Sequence, residues 1–179
     1  MNKLLVVIDY QKDFVDGALG FKKAETLEDG IYNKVKKYLD NGHKVVFTYD
    51  THYENYLETR EGKSLPVPHC YINTEGYKLY GKLKEFVGVE NTYHYNKEAF
   101  GISPKGMLKL VDDIGMDIDE IELVGVVTNM CVISNVVTFQ AQYINAELSV
   151  DGTLCASFDD SLHDKALDVI EALSVKVTR

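Results

Sequence analysis

Short apolar runs alternate with segments of helical periodicity along the whole chain. The runs have the length and composition of strands that are buried on both faces of a sheet, and we expect strands at residues 4–8, 45–47, 91–95, 121–126, 146–150 and 175–177. Between them, apolar side chains spaced three or four residues apart predict helices over residues 27–41, 77–86, 105–114, 128–143 and 159–173. Such alternation is typical of parallel sheets with right-handed crossovers. The pattern predicts an α/β protein with three layers (α/β/α) and a mostly parallel, Rossmann-like sheet.

Length and charge limit the number of domains and the classes of partner. A chain of 179 residues is expected to form one domain, here residues 1–179. Its 28 acidic and 19 basic residues give a formal net charge of −9, so it has no excess of positive charge to neutralise phosphates. We therefore expect neither a nucleic acid nor a membrane surface as a partner.

One stretch departs from the average composition, because residues 123–146 carry no charged side chain over 24 positions. A transmembrane helix needs about 20 apolar residues, but asparagine, glutamine and serine side chains interrupt this stretch and are costly in hydrocarbon. The apolar run at residues 4–8 is too short for a signal peptide. Three cysteines without a CxxC pair are typical of a reduced, cytoplasmic protein.

Reactive side chains follow four of the predicted strands directly. Asp9 closes the first strand, Asp50 and His52 follow the second, Lys97 follows the third, and Cys131 comes just after the fourth. Because ligands bind beyond the carboxyl ends of the strands in open α/β sheets, we expect these side chains to meet at one edge. This convergence is the main indication of an enzyme.

Cys131 lies in the predicted first turn of a helix, with Thr128 as the expected N-cap. Unpaired amides and the helix dipole lower the pKa of a thiol at such a position and can form an oxyanion hole. Asp9 would then suit the general base of a cysteine nucleophile. The alternatives are a small core residue for Cys131, a turn cap for Asp9 and a solvated surface charge for Lys97.

A second group of residues has the composition of a metal site. Asp50 and His52 lie on the same side of an extended segment, and His69 follows 17 residues later in a long loop over residues 50–76. Two imidazoles and a carboxylate suit a catalytic Zn²⁺, or Fe or Mn, with Glu61 as a fourth ligand, either directly or through water. The alternative is a polar loop with coincidental histidines.

Three separated segments resemble the isochorismatase-like cysteine hydrolases, namely Ile8-Asp9-Tyr-Gln11-Lys-Asp13-Phe14, the segment around Lys97, and Gly125-Val-Val-Thr-Asn-Met-Cys131-Val. The chain is most similar to the nicotinamidase branch once two further motifs are added, Asp50-x-His52 and Pro-His69-Cys70. This resemblance covers about residues 3–160 and implies the isochorismatase-like hydrolase fold.

The resemblance also implies a role for each residue that matches a family motif. The catalytic triad would be Asp9, Lys97 and Cys131. A divalent metal, zinc before iron or manganese, would be held by Asp50, His52 and His69. The oxyanion hole would be formed by the amides of Val127 and Cys131, with a non-proline cis peptide bond before Val127. The ring of the substrate would lie against Phe14.

The activity implied is metal-assisted hydrolysis of an amide through a thioester, with nicotinamide to nicotinate plus ammonia as the leading reaction. Two positions depart from the nicotinamidase pattern. Pro66 stands where a second aromatic residue usually covers the ring, and Asn129 replaces a common aspartate. A related amidase acting on a carbamoyl or ureido group is therefore one alternative, and a non-catalytic ligand-binding module is another. By analogy with the family we expect a homo-oligomer.

Overall fold

The structure, a computed structural model, describes residues 1–179. Six strands form one sheet: β1 (Lys3–Ile8), β2 (Lys44–Asp50), β3 (Thr92–Lys97), β4 (Glu120–Val126), β5 (Glu147–Ala156) and β6 (Lys176–Thr178). Their order is β3-β2-β1-β4-β5-β6, and every neighbouring pair is parallel. The strand order reverses between β1 and β4, so a crevice opens beyond the carboxyl ends of these central strands.

Seven α-helices accompany the sheet: α1 (Lys12–Val15), α2 (Lys22–Glu25), α3 (Glu28–Asp40), α4 (Arg60–Ser64), α5 (Pro104–Ile114), α6 (Ile133–Gln142) and α7 (Asp160–Ala172). Two 3₁₀ helices lie at Tyr56–Glu58 and Gly81–Phe86, and one π-helical turn at Thr128–Val132. The expected α/β fold class is therefore confirmed.

Apolar side chains cover both faces of the sheet. On β1, Leu4, Val6 and Ile8 belong to a core of 23 buried residues, whereas Leu5 and Val7 belong to a second core of 20. Successive residues of a strand point to opposite faces, so the two cores of similar size lie on the two sides of the sheet. This arrangement explains why the strands appear in the sequence as continuous apolar runs.

The ends of three predicted helices follow local chemistry. Asn41 follows the last residue of α3, and Gly42 then adopts a left-handed φ of 72°, which glycine tolerates without a steric penalty. Ser103 caps α5 by accepting a hydrogen bond from the Gly106 amide. Asp159 caps α7 in the same way. These three helices were predicted to within a few residues.

The segment 77–86 differs from its predicted helix. Only Gly81–Phe86 is helical, and it is a 3₁₀ helix. Residues 77–80 pair with the segment after β1 instead, because the Tyr80 amide donates to the Tyr10 carbonyl and the Lys12 amide donates to the Lys78 carbonyl. Backbone pairing with the segment after β1 thus takes the place of the helical hydrogen bonds.

The uncharged stretch at residues 123–146 is shared between the end of β4, the π-helical turn and α6. The predicted helix at 128–143 therefore begins with a wider turn and becomes regular only at Ile133. No helix in the structure has the combination of length and apolarity that spanning a bilayer requires.

Candidate active site

The ammonium group of Lys97 lies at the centre of the residues that follow the strands. Its Nζ is 2.6 Å from Asp9 Oδ2, 3.3 Å from Asp50 Oδ1 and 3.5 Å from Cys131 Sγ, and it also donates to the Ala99 carbonyl at 3.1 Å. The side chains of Lys97 and Asp9 are fully buried. The structure thus brings together the acid, the lysine and the thiol that the sequence places at separate strand ends.

The carboxylate of Asp9 is held in a defined orientation. Its Oδ1 accepts a hydrogen bond of 2.6 Å from the Thr48 hydroxyl, and its Oδ2 lies 2.6 Å from Lys97 Nζ, which also contacts Cys131 Sγ at 3.5 Å. Asp9 has a φ of 47°, a left-handed conformation that is uncommon for residues other than glycine. A carboxylate and a thiol that contact the same ammonium group are an arrangement from which a general base and a nucleophile can be built.

The electrostatics of Cys131 differ from the sequence-based expectation. Burial raises the pKa of its thiol well above the ordinary value, and Asp9 and Asp50 add to this effect, while Lys97 opposes it. The thiol also lies in a π-helical turn rather than in the first turn of an α-helix. The expected lowering of the pKa was therefore wrong, and a reaction at this sulfur would need a base to take its proton.

The neighbouring charges make Asp9 suitable as that base. Burial raises the pKa of Asp9, which Lys97 and Thr48 counteract only in part. The pKa of Lys97 is also raised, because Asp9, Cys131 and Asp50 outweigh the loss of solvation. Lys97 therefore stays a cation while Asp9 retains affinity for a proton.

The turn that carries Cys131 is held by side-chain hydrogen bonds to α7 and to the segment that precedes α7. The Thr128 hydroxyl pairs with His163 Nδ1 at 2.8 Å, so Thr128 does not cap the helix as expected, and no side chain does. Ser157 donates to Asn129 Oδ1 at 2.6 Å. The peptide bond between Val126 and Val127 is cis, as the family resemblance implies.

The predicted metal ligands form a second cluster beside the first. Asp50 Oδ2 is 3.0 Å from His52 Nε2 and 3.2 Å from His69 Nε2. Glu61 Oε1 is 3.5 Å from His52 Nε2 and 4.0 Å from His69 Nε2. Asp50 therefore takes part in both clusters, with Oδ1 towards Lys97 and Oδ2 towards the histidines.

The donor set of this cluster fits a divalent transition metal. One ligand atom from each of the four residues lies within 4.8 Å of the others, and two imidazoles with carboxylates suit zinc, iron or manganese. His69 Nδ1 is bonded to the Val67 carbonyl at 2.7 Å, which leaves Nε2 facing the cluster. Such an outer bond commonly orients a metal-binding histidine.

Three further residues contact the predicted metal ligands or their neighbours, and the sequence analysis assigned none of them this role. The buried Gln11 amide bonds to both the backbone N–H and the carbonyl of Asp50, at 2.8 and 2.9 Å. Asp13 accepts the Cys70 amide at 2.7 Å, next to His69. The Tyr56 ring lies 4.3 Å from the ring of His52. Gln11 and Asp13 lie within a family motif, which is the only signal that could have identified them, and Tyr56 had no signal.

A cavity of about 580 Å³ borders two of the predicted metal ligands and residues that neighbour Lys97 and Cys131 in the sequence, although Asp9, Lys97 and Cys131 do not line it themselves. Its wall includes the predicted metal ligands His52 and Glu61, Met130 next to Cys131, and the exposed residues Arg60 and Phe100. Phe14 is not among the lining residues of this cavity, but its ring packs edge-on against His69 at 5.3 Å. Pro66 is exposed, and as a proline it brings no aromatic ring to this position.

A parallel α/β sheet with a buried thiol, carboxylate and lysine at its switch point defines the class as an α/β cysteine hydrolase. The profile of the isochorismatase domain family matches residues 3–179. The isochorismatase family protein PncA of Bacillus subtilis (strain 168) is 33% identical over 176 residues, covering 93% of each chain. The chain belongs to the isochorismatase family.

Solved structures agree with this assignment. Nicotinamidase PncA from Bacillus subtilis has a TM-score of 0.86 and 28% identity, with all of both chains covered. The pyrazinamidase of Pyrococcus horikoshii, solved in complex with zinc, has a TM-score of 0.84 over 100% of this chain and 99% of its own. Its 23% identity supports a shared fold and nothing further.

Proposed function

We propose that the chain is a metal-assisted cysteine amidohydrolase that acts through a thioester, with nicotinamide to nicotinate plus ammonia as its leading reaction. The observation that carries this proposal is the position of Lys97 Nζ, 2.6 Å from Asp9 Oδ2 and 3.5 Å from Cys131 Sγ, in a fully buried group. The likeness to nicotinamidase PncA supports the choice of substrate.

The first half of the reaction forms the thioester. Asp9 Oδ2 takes the proton of the Cys131 thiol while Sγ attacks the amide carbon, and the negative charge develops on the carbonyl oxygen. We assign the stabilisation of that oxygen to the amides of Val127 and Cys131. When the tetrahedral adduct collapses, Asp9 returns the proton to the departing nitrogen, and ammonia leaves.

The second half restores the enzyme. Asp9 removes a proton from a water molecule as that water attacks the thioester carbon, and it then protonates the Cys131 sulfur that leaves. Lys97 remains charged throughout and stabilises the ionised form of Asp9. The products are the free acid and the resting thiol, so no proton is gained or lost by the triad over the cycle.

The metal would be held by Asp50, His52 and His69, with Glu61 as a fourth ligand, and zinc is the leading candidate. When bound, it supplies a Lewis acid for a polar group of the substrate or for water. The four donor atoms within 4.8 Å support this role. Phe14, whose ring contacts His69, would form one face of the ring-binding site.

A second candidate is hydrolysis of a carbamoyl or ureido amide by the same triad. Two observations favour it, because Pro66 offers no ring to cover an aromatic substrate and Arg60 places a cation on the cavity wall. A guanidinium group pairs well with a carboxylate, which carbamoyl amino acids carry. Nicotinamide has no carboxylate, so Arg60 would contribute to substrate binding only in the second candidate.

Ammonia release from a panel of small amides separates these candidates. The panel contains nicotinamide, pyrazinamide and N-carbamoyl amino acids, and the proteins are the wild type, Cys131→Ala and Cys155→Ala. Cys155 is also buried, but it lies at the end of β5, which makes its substitution a matched control. We expect hydrolysis of nicotinamide that Cys131→Ala abolishes and Cys155→Ala preserves.

Other outcomes of the panel would redirect the proposal. Nicotinamide turnover that survives Cys131→Ala would contradict the thioester mechanism. Release from carbamoyl substrates alone, lost in Arg60→Ala, would favour the second candidate. No release from any amide would favour a ligand-binding module. Activity that is unaffected by complete removal of metal would reduce Asp50, His52 and His69 to structural roles.

We also propose that residues 1–179 act as one domain, in the cytoplasm, as a homo-oligomer that uses no nucleic acid or membrane partner. The match of one family profile to residues 3–179 supports the single domain. Three free, buried cysteines are compatible with a reducing compartment. Light scattering coupled to size-exclusion chromatography would test the oligomeric state.

A further inference from the structure

Thr48, in the interior of a strand, makes two hydrogen bonds to Asp9. It lies near the end of β2, is fully buried, and points its hydroxyl at Asp9 after the neighbouring strand β1. The hydroxyl donates to Asp9 Oδ1 at 2.6 Å and accepts the Asp9 backbone N–H at 3.2 Å. One side chain therefore holds both the carboxylate and the backbone of the same residue.

The two oxygens of Asp9 are left with different surroundings by this contact. Oδ1 is occupied by Thr48, whereas Oδ2 is buried, lies 2.6 Å from Lys97 Nζ and has no other well-aligned hydrogen-bond donor. Lys97 Nζ in turn lies 3.5 Å from Cys131 Sγ, so the same ammonium group contacts both Asp9 Oδ2 and the sulfur. If Oδ1 lacked its donor, the carboxylate could rotate and place either oxygen towards the sulfur.

We propose that Thr48 is a positioning residue that reserves Oδ2 of Asp9 for proton transfer with Cys131. Its hydroxyl proton stays on Thr48 and is directed to Oδ1, so Oδ2 is the oxygen that exchanges a proton with sulfur, ammonia and water. The proposal rests on the proposed function for these steps, but the geometry of the Asp9–Cys131 pair can be tested without any substrate.

The charged and titratable groups around Asp9 come from four neighbouring segments. Lys97 faces it from β3, Asp50 from the end of β2 and Cys131 from the π-helical turn, and Cys70 is a further neighbour in the loop after α4. Burial raises the pKa of Asp9, and the Thr48 hydrogen bond opposes that effect. Loss of the hydroxyl is therefore expected to raise this pKa further.

The test compares Thr48→Val, which removes the hydroxyl at nearly constant shape, with Thr48→Ser, which keeps it. Thr92→Val is the matched control, since Thr92 lies on β3 and donates to the Phe86 and Val89 carbonyls away from the triad. The first readout is the rate of alkylation of Cys131 by iodoacetamide as a function of pH. The second is kcat and KM for the amide that the wild type hydrolyses.

We expect Thr48→Val to lower kcat by about 10- to 100-fold with KM changed less than about 2-fold, because a general base contributes about 10²- to 10⁴-fold. The acid limb of the alkylation profile should move to higher pH. Thr48→Ser should restore both values to within about 3-fold of the wild type, and Thr92→Val should resemble the wild type.

Thr48→Cys keeps a weaker donor and guards against failure of Thr48→Val to fold. The expected order of kcat is then wild type and Thr48→Ser above Thr48→Cys. A wild-type kcat and alkylation profile in Thr48→Val, or a loss that Thr48→Ser does not restore, would overturn the proposal. If the wild type hydrolyses no amide, the proposed function fails, while the alkylation profiles still decide the role of Thr48.

Discussion

Two lysines in this molecule each bridge a pair of carboxylates, and only one pair belongs to the active site. Lys34 on α3 is 2.6 Å from Glu122 and 2.7 Å from Asp151, with 18% of its side chain exposed. Lys97 bridges Asp9 and Asp50 at 2.6 and 3.3 Å, with none of its side chain exposed. Each lysine thus has one carboxylate at 2.6 Å, and its second carboxylate is 0.6 Å farther from Lys97 than from Lys34.

Their proton affinities differ in a way that burial explains only in part. The pKa of Asp151 is lowered, because hydrogen bonds from Lys34 and Thr153 outweigh its partial desolvation. The pKa of Asp9 is raised, because complete burial outweighs the help of Lys97. Burial alone does not decide the direction, because the pKa of Asp50 is lowered in the same cluster, where Lys97 and the hydrogen bonds to His52 and His69 outweigh its burial. Asp9 lacks those two histidines, so its burial prevails and leaves a carboxylate that can act as a base.

The largest effect should come from removing each lysine in turn. Lys97→Met leaves two buried carboxylates without a cation, which is expected to lower the free energy of unfolding by about 3–5 kcal/mol. It should lower kcat by about 10²- to 10³-fold. Lys34→Met should cost less than about 1 kcal/mol and leave kcat unchanged. Denaturant unfolding and steady-state kinetics measure both. Equal costs at the two sites would contradict the comparison.

A smaller effect is expected on zinc affinity. The Lys97 cluster adjoins the predicted metal ligands, whereas the Lys34 cluster has no such neighbours. Glu61→Gln is expected to lower zinc affinity by at least about 10-fold, because Glu61 Oε1 lies 3.5 Å from His52 Nε2. Glu58→Gln, in the exposed end of the nearby 3₁₀ helix, is the control. Competition with a chromogenic chelator measures the affinity. An unchanged value for Glu61→Gln would remove Glu61 from the ligand set.

The smallest effect concerns pH. Because the pKa of Asp9 is raised by burial, the general base is present above that raised pKa and is lost as the pH falls through it. The acid limb of kcat/KM should therefore lie above the ordinary aspartate pKa of about 4. Lys34→Met should leave this limb in place, since the Lys34 cluster lies outside the site. A limb at or below pH 4 would contradict the assignment of Asp9 as the base.

The sequence was sufficient to predict the strand ends and most of the site. In a parallel sheet the carboxyl ends of the strands lie at one edge, so Asp9, Asp50, Lys97 and Cys131 could be placed together from their order alone. The sequence pattern predicted all six strands, although β3 (Thr92–Lys97) is not a continuous apolar run. The metal residues depended on the family motifs, because two histidines and an aspartate in a loop are a weak signal by themselves.

The parts that the sequence did not predict depend on partners far along the chain. In the sequence, Thr48 is an ordinary β-branched residue of a strand. Its hydrogen bond to Asp9 becomes visible only when the fold places β1 beside β2. Thr128 reads as a helix cap, but His163, 35 residues later, takes its hydroxyl. The pKa of Cys131 was misjudged for the same reason, because local helix position says nothing about complete burial near two carboxylates.

The shared carboxylate of Asp50 has an evolutionary consequence. Its Oδ1 lies 3.3 Å from Lys97 Nζ and its Oδ2 3.0 Å from His52 Nε2. A lineage that discards the metal can replace either histidine and leave the lysine's surroundings intact, but replacing Asp50 disturbs both functions in one mutation. Descendants without a metal site are therefore expected to lose the histidines first and to keep this aspartate longest.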